Sequence, residues 1–132
     1  MNSTAPSTTR STARVWNTRR TAKRERLHRV AEYTSGKLIH QTKLRNLLEG
    51  LLEPGDRVAL EGDNQKQADF LSRTLAACDP GRVHGLHMLI SSVSGPEQLD
   101  LFERGIAERL DLSFAGPQSV RIAQMVADGR GG

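Results

Sequence analysis

Aromatic side chains are scarce in this chain: three Phe, one Tyr and one Trp amount to 4% of 132 residues. A core built here must rest on aliphatic groups, and a stacking platform for single-stranded nucleic acid has few rings to use. Cysteine occurs once, at Cys78, so no disulfide forms within the chain, and a lone cysteine fits a reducing compartment. No apolar run approaches the roughly 18 residues of a membrane span. Neither a phosphate-loop spacing nor a Gly-x-Gly-x-x-Gly is present, and no local signature supports Ser/His/Asp nucleophilic catalysis. Hydrophobic residues reach only 36%, low for a compact domain, so part of the chain is expected as tail or interface. The length allows one domain with a real core.

Acidic residues are missing from one end. Residues 1–48 hold 11 Lys and Arg against 2 Asp and Glu, a net of +9, whereas residues 49–132 hold 8 against 13, a net of −5. The basic character therefore belongs to the N-terminal segment. Met1 to Ala13, rich in Ser and Thr, has no periodicity and reads as a disordered tail, with residues 1–14 as its bounds. Arg10, Arg14, Arg19 and Arg20 follow one another with no acid before Glu25, a composition shared by transit peptides and nucleic-acid-binding arms. With only Trp16 and Tyr33 to stack on bases, nucleic acid is the weaker reading, and a solvated or subunit-docking arm over 15–53 the stronger.

Thr18 to Tyr33 reads as a helix with Leu27, Val30 and Ala31 on its apolar face, ended by Gly36. After a short extended piece at Lys37–Ile39, Leu44, Leu47, Leu48 and Leu51 recur at helical spacing within Lys43–Leu52. From Pro54 onward strand and helix alternate. Arg57 to Leu60 is a short strand after a Pro54-Gly55-Asp56 turn. A helix with Ala68, Leu71, Leu75 and Cys78 on one face follows, with Asn64 and Gln67 placed as a reciprocal N-cap. Val83 to Ile90 is a second strand with Leu86, Met88 and Ile90 on one face. His84 and His87, an odd number of positions apart, then point to opposite faces and do not converge on a metal. Pro96 opens a helix carrying Leu99, Phe102 and Ile106 inward. Leu110 to Phe114 is a third strand, and a last helix carries Ile122, Ala123 and Val126. This alternation predicts an α/β domain over 54–132 with parallel strands and right-handed helical crossovers.

Two polar turns follow strand ends: Gly62, Asp63, Asn64, Gln65, Lys66 and Gln67 after the first, and Gly116, Pro117, Gln118 and Ser119 after the third. In open parallel sheets the carboxyl ends of strands form the ligand edge. Five consecutive polar residues, Asp63 to Gln67, exceed what a turn needs, although Asn and Asp are also ordinary caps at water-facing turns. Glu61 and Asp63 are weak general acid/base candidates, since solvated acids are common at turns.

Six blocks carry a specific resemblance: Val15-Trp16-Asn17-Thr18-Arg19-Arg20, Pro54-Gly55-Asp56-Arg57-Val58, Leu60 through Leu71 centred on Asn64-Gln65-Lys66-Gln67, Leu86-His87-Met88, Leu99 through Gly105, and Ser113 through Ser119. In this order they resemble the α subunit family of bacterial malonate decarboxylases, from about Val15 to Gly129. The resemblance implies an incomplete domain of the family I coenzyme A-transferase type, with a basic helical arm before it. It implies transfer of an acyl carrier protein from its acetyl thioester to malonate, giving the malonyl thioester and acetate. The carrier's phosphoribosyl-dephospho-CoA arm would enter as substrate, with no permanently bound cofactor and no metal. The carrier and the other decarboxylase subunits would be partners, the location cytoplasmic, and membrane absent from the picture. By resemblance, the Gly62–Gln67 turn supplies oxyanion contacts to the thioester, and Gly116–Ser119 is similar to a Pro-Gln-Gly turn of those transferases. The resemblance implies a subunit several times longer, with two similar α/β halves and the site between them; in coenzyme A-transferases the catalytic glutamate sits in the second half. The chain is therefore expected to be an N-terminal part, inactive alone, in which no nucleophile is assigned. The contrasting class is a non-catalytic binding protein whose basic arm meets nucleic acid or an acidic partner.

Overall fold

The computed structural model describes residues 8–61, 68–114 and 116–129. The basic segment forms one long helix, α1 (Thr8–Arg29), with Arg26 and Arg29 in its last turn, where cations meet the negative end of the helix dipole. It opens ten residues before the expected start, inside the stretch read as tail. It also ends four residues earlier than expected, at a 3-10 turn over Ala31–Tyr33. Only Val30 of its expected apolar face is buried, and Leu27 and Trp16 lie exposed. A minimal hairpin follows, β1 (Thr34–Ser35) against β2 (Leu38–Ile39), turned by Gly36 at φ 61°.

Helix α2 (Leu44–Leu51) buries Leu44 and Leu47 against Val30, as the leucine spacing predicts. The residue just past α1 approaches α2 closely at Gly50, where an added Cβ would stand 2.8 Å from Val30 Cγ1. Arg26 anchors α1 to the next segment, 2.6 Å from both Glu53 and Asp56, and Arg29 reaches Glu53 at 3.2 Å.

The remainder is a three-stranded parallel sheet in the order β3 (Arg57–Ala59), β4 (Leu86–Ser92), β5 (Ala107–Phe114). The connecting helices are α3 (Asp69–Ala76) and α4 (Pro96–Glu103), and α5 (Ser119–Ala127) follows the last strand. Leu86, Met88 and Ile90 lie fully inside the core with Leu75, Leu99, Leu101, Phe102 and Met125, as their alternation in the strand predicts. All three helices cover this one face. The opposite face, with Arg57, Ala59, Leu89, Asp111 and Ser113, is exposed.

Several expectations change. Helix α3 begins at Asp69 with Ala68 in the cap position and no side-chain cap bond, so Asn64 is not the cap of this helix. Its buried face runs through Ser72, Leu75 and Ala76, while Leu71 is 43% exposed: the later start makes Ser72, one turn past Ala68, the inward residue. On α5 Met125 is the buried residue and Val126 is 63% exposed. His84 precedes β4, so the two histidines do not share a strand. His87 pairs instead with Asp111 at 2.7 Å on the open face.

Candidate functional site

Because β3, β4 and β5 run parallel, their carboxyl ends lie on one edge. Register fixes the alignment: Ala59 sits opposite Leu89, Ser92 opposite Phe114, and the Leu60 amide donates to the Leu89 carbonyl at 3.0 Å. The two polar turns thus leave from the two outer strands on either side of β4. Gly62, Asp63, Asn64, Gln65, Lys66 and Gln67 lie outside the described residues. The second turn is described: Gly116, Pro117 and Gln118 form a 3-10 turn with Gly116 at φ 60°, and Ser119 is the first residue of α5. Pro117 and Ser119 are exposed and Gly116 and Gln118 partly so.

The carboxyl end of the central strand β4 leads into a short loop, Val93–Gly95. It connects β4 to α4 and is fixed by Gln98, which is only 3% exposed. The Gln98 side-chain oxygen accepts the Ser94 amide at 2.9 Å and the Gly95 amide at 3.3 Å, and the Gln98 amide donates back to the Gly95 carbonyl at 3.3 Å. This is one half of a capping box, the glutamine side chain on the cap amide: Gly95 has no side chain to return the bond, so its carbonyl takes the Gln98 backbone amide, and Pro96 follows where a missing N–H costs nothing. The signal in the sequence was Gly95-Pro96-Glu97-Gln98, a glycine followed three residues later by glutamine. Arg121, on the first turn of α5, reaches across to α4: it donates to the Pro96 carbonyl at 3.1 Å and lies 2.7 Å from Asp100 and 2.9 Å from Glu103. The hydrogen bonds it donates to the carboxylates of Asp100 and Glu103 hold the guanidinium pKa above its ordinary value.

At the opposite edge, a groove of about 570 Å³ opens between α1, α2 and the Asp79–Arg82 turn. Its cations are already matched, Arg29 to Glu53 and Arg82 to Glu49. Glu49 also accepts the Asp79 amide at 3.1 Å and pairs with Arg45 at 2.8 Å. The bond from Arg45 comes first among the causes holding its carboxyl below the ordinary range. That groove is structural wiring. Among the described residues no three His, Cys, Asp or Glu side chains gather as a metal site, and no helix is long and apolar enough to cross a membrane.

The profile of the family described as malonate decarboxylase, alpha subunit, transporter matches residues 15–131. The chain belongs to that family. An acetyl-S-ACP:malonate ACP transferase from Malonomonas rubra is 38% identical over 118 residues, which is 89% of this chain and 21% of that protein. The crystal structure of a malonate decarboxylase alpha subunit from Acinetobacter baumannii superposes with a TM-score of 0.83 at 54% identity over 87% of this chain. A Pseudomonas malonate decarboxylase hetero-tetramer in complex with malonate gives 0.82 at 57% identity over 86%. The chain spans about a fifth of the length of these relatives, 21% in each case.

Proposed function

We propose that this chain is the N-terminal part of an acyl-carrier-protein transferase subunit of malonate decarboxylase, acting on the acetyl thioester of the carrier and on malonate. The observation that carries the reading is the identity shared with the named transferase across nearly the whole chain. In the reaction the acetyl C–S bond breaks and a C–S bond to the malonyl carbon forms. The oxygen that malonate gives up leaves on acetate, and atoms balance without an outside reagent. Such exchange passes through anionic intermediates, which fixed N–H donors stabilise. The Gly62–Gln67 and Gly116–Ser119 turns are the proposed walls of that site. Lys66 is the proposed partner for a carboxylate, or for a phosphate of the carrier's phosphoribosyl-dephospho-CoA arm. The attacking group belongs to the rest of the subunit.

The fold proposed for the whole is of the family I coenzyme A-transferase type. A parallel sheet ordinarily buries both faces, and here one is bare. The order β3-β4-β5 advances without reversal. Strands added beyond β3 would therefore carry helices across the bare face and put the switch in strand order at the carboxyl end of β3. That is where Gly62–Gln67 begins. The arm, residues 15–53, is assigned to contact with neighbouring subunits in a cytoplasmic complex. Helix α1 has almost no apolar face of its own, and such a helix needs a partner surface to persist.

The test is acetate release from acetyl-carrier and malonate. A complete subunit containing this sequence is expected to release acetate, and the 132-residue chain alone is expected to release none above a carrier-only control. A complete subunit without activity sinks the functional reading. An active 132-residue chain overturns the claim that the site is shared with further polypeptide.

A further inference from the structure

We propose that the groove between α1 and the start of the sheet is a docking surface for an acidic, amphipathic helix of a neighbouring subunit. The inference rests on the assignment of the arm to subunit contact above. It names the face of the arm that makes the contact and the chemistry of what that face meets.

The groove, about 460 Å³, runs along α1 from Arg19 to Leu27 and reaches α2 and β3. Its floor is aliphatic, with Leu27 53% exposed beside the half-buried Leu51 and Leu52. Its rim carries Arg19, Lys23 and Arg57, all exposed and without an acidic partner among the described residues. Arg26, also in the groove, is already taken by Glu53 and Asp56. The groove beside Arg29 and Arg82 differs in this respect, because its cations are matched within the chain. Arg57 opens β3, so the docking groove sits at the amino end of that strand, away from the candidate transfer edge.

The charge pattern of α1 gives an independent reason for an acidic occupant. Arg19 and Lys23, and likewise Arg20 and Arg24, are like charges at i, i+4, a spacing that destabilises a helix. Glu25 is the one acid in α1, and the side chains from Thr12 to Glu25 are exposed. A partner's carboxylates relieve that repulsion. Nucleic acid would satisfy the cations, but it gains nothing from a leucine floor, and the groove offers no aromatic ring for a base to stack on. A membrane surface needs a continuous apolar stripe, which α1 lacks. A second copy packed groove to groove would set Arg19, Lys23 and Arg57 against their own images. An acidic helix meets both requirements. Its apolar side chains at i, i+3 and i+7 enter beside Leu27, Leu51 and Leu52, and the Asp or Glu next to them reach the rim. Trp16, 62% exposed and two turns before Lys23 on the same side of α1, extends the contact by about 16 Å from Leu27.

Two measurements test this. In the first, the 132-residue chain is titrated with a synthetic helical peptide carrying Leu at i, i+3 and i+7 with Glu beside them. A scrambled peptide of the same composition and a single-stranded DNA oligonucleotide are the comparisons. The patterned peptide should bind, and the scrambled one about tenfold more weakly. Leu27→Ala should weaken the patterned peptide about fivefold at every salt concentration. Arg19→Gln with Lys23→Gln should weaken it about tenfold at low salt and less at high salt. These side chains are exposed, so the melting curves should not move. No binding, equal binding of the two peptides, tighter binding of the oligonucleotide, or indifference to Leu27→Ala overturns the proposal.

In the second, a complete subunit assembled with the other decarboxylase subunits is photo-crosslinked from a benzophenone on Leu27→Cys and, separately, on Trp16→Cys. Adducts from both should map to a segment of another subunit that carries Asp and Glu. Adducts from Leu27→Cys within its own subunit, or none, overturn the groove as an interface. If Trp16→Cys alone reaches a neighbour, the arm assignment stands and the groove falls; if neither does, both fall. An assembled enzyme that releases no acetate counts against the acyl-transfer reading, and the crosslinks still decide the interface.

Discussion

The guanidinium of Arg26 stands 2.6 Å from the carboxylate of Asp56, and this pair joins the basic helix α1 to the turn that opens the sheet. Asp56 is also the acceptor for the Glu53 amide at 2.9 Å, so the same carboxylate shapes its own turn. Both side chains are mostly shielded. Arg26→Ala should therefore cost about 1 kcal/mol, somewhat above an exposed ion pair. Asp56→Ala should cost more, because the Glu53 amide loses its acceptor as well. Urea unfolding of the two variants checks the order, and the Arg26 effect should shrink in 0.5 M salt, taken as about three times physiological strength.

Ser72 is a buried residue whose hydroxyl has no hydrogen-bond partner among the described residues. Burying an unsatisfied polar group costs about 1–3 kcal/mol. Ser72→Ala is therefore expected to be neutral or to stabilise by about 1 kcal/mol, measured as a shift of the urea midpoint at constant slope. A loss of stability would mean that the hydroxyl finds a partner in solution.

Cys78 is fully buried, and burial pushes its thiol from 9.0 up to about 11. A thiol-specific reagent at pH 8 should react with the unfolded chain quickly and with the native chain only at the rate of opening. The folded pKa is raised, so the contribution to stability is intact below the unfolded value and is lost as pH rises from about 9 to about 11. Cys78→Ala should remove that alkaline decline. A decline of equal size in the variant would assign it to other groups.

On the bare sheet face Leu89 is 39% exposed between Ala59 and Asp111. The outer edge of β5 has no strand partner among the described residues. Open faces and edges associate. The isolated chain should elute larger than a monomer in a concentration-dependent way, and Leu89→Lys should shift it toward monomer. A monodisperse monomer with a sharp melt would contradict this account of the bare face.

The sheet was legible because its signals are short-range. Leu86, Met88 and Ile90 alternate, and Leu44, Leu47, Leu48 and Leu51 keep helical spacing, so each pattern names its own buried face. The start of α1 was not legible, since a helix with almost no apolar stripe leaves no periodicity to read. Nor was the cap of α3. Asn64 and Gln67 have the right chemistry three residues apart, but the helix starts at Asp69, and which turn residue takes the cap position is a tertiary choice. Arg121 and Asp100, 21 positions apart, meet only because α4 and α5 lie side by side, so the clamp beside the second turn had no local signature. The candidate edge itself followed from strand order alone.

The most direct measurement of the central claim is kcat/KM for malonate and for the acetyl carrier in a complete subunit carrying Asn64→Ala or Lys66→Ala, beside a melting curve for each. Since the cap position of α3 belongs to Ala68, the loss of Asn64 should leave the melting temperature nearly unchanged. A transfer site at the Gly62–Gln67 turn predicts a fall of about tenfold or more in kcat/KM for both variants, the scale of one lost charge-assisted contact. Full activity in both, or a lowered melting temperature with unchanged kinetics, would contradict it.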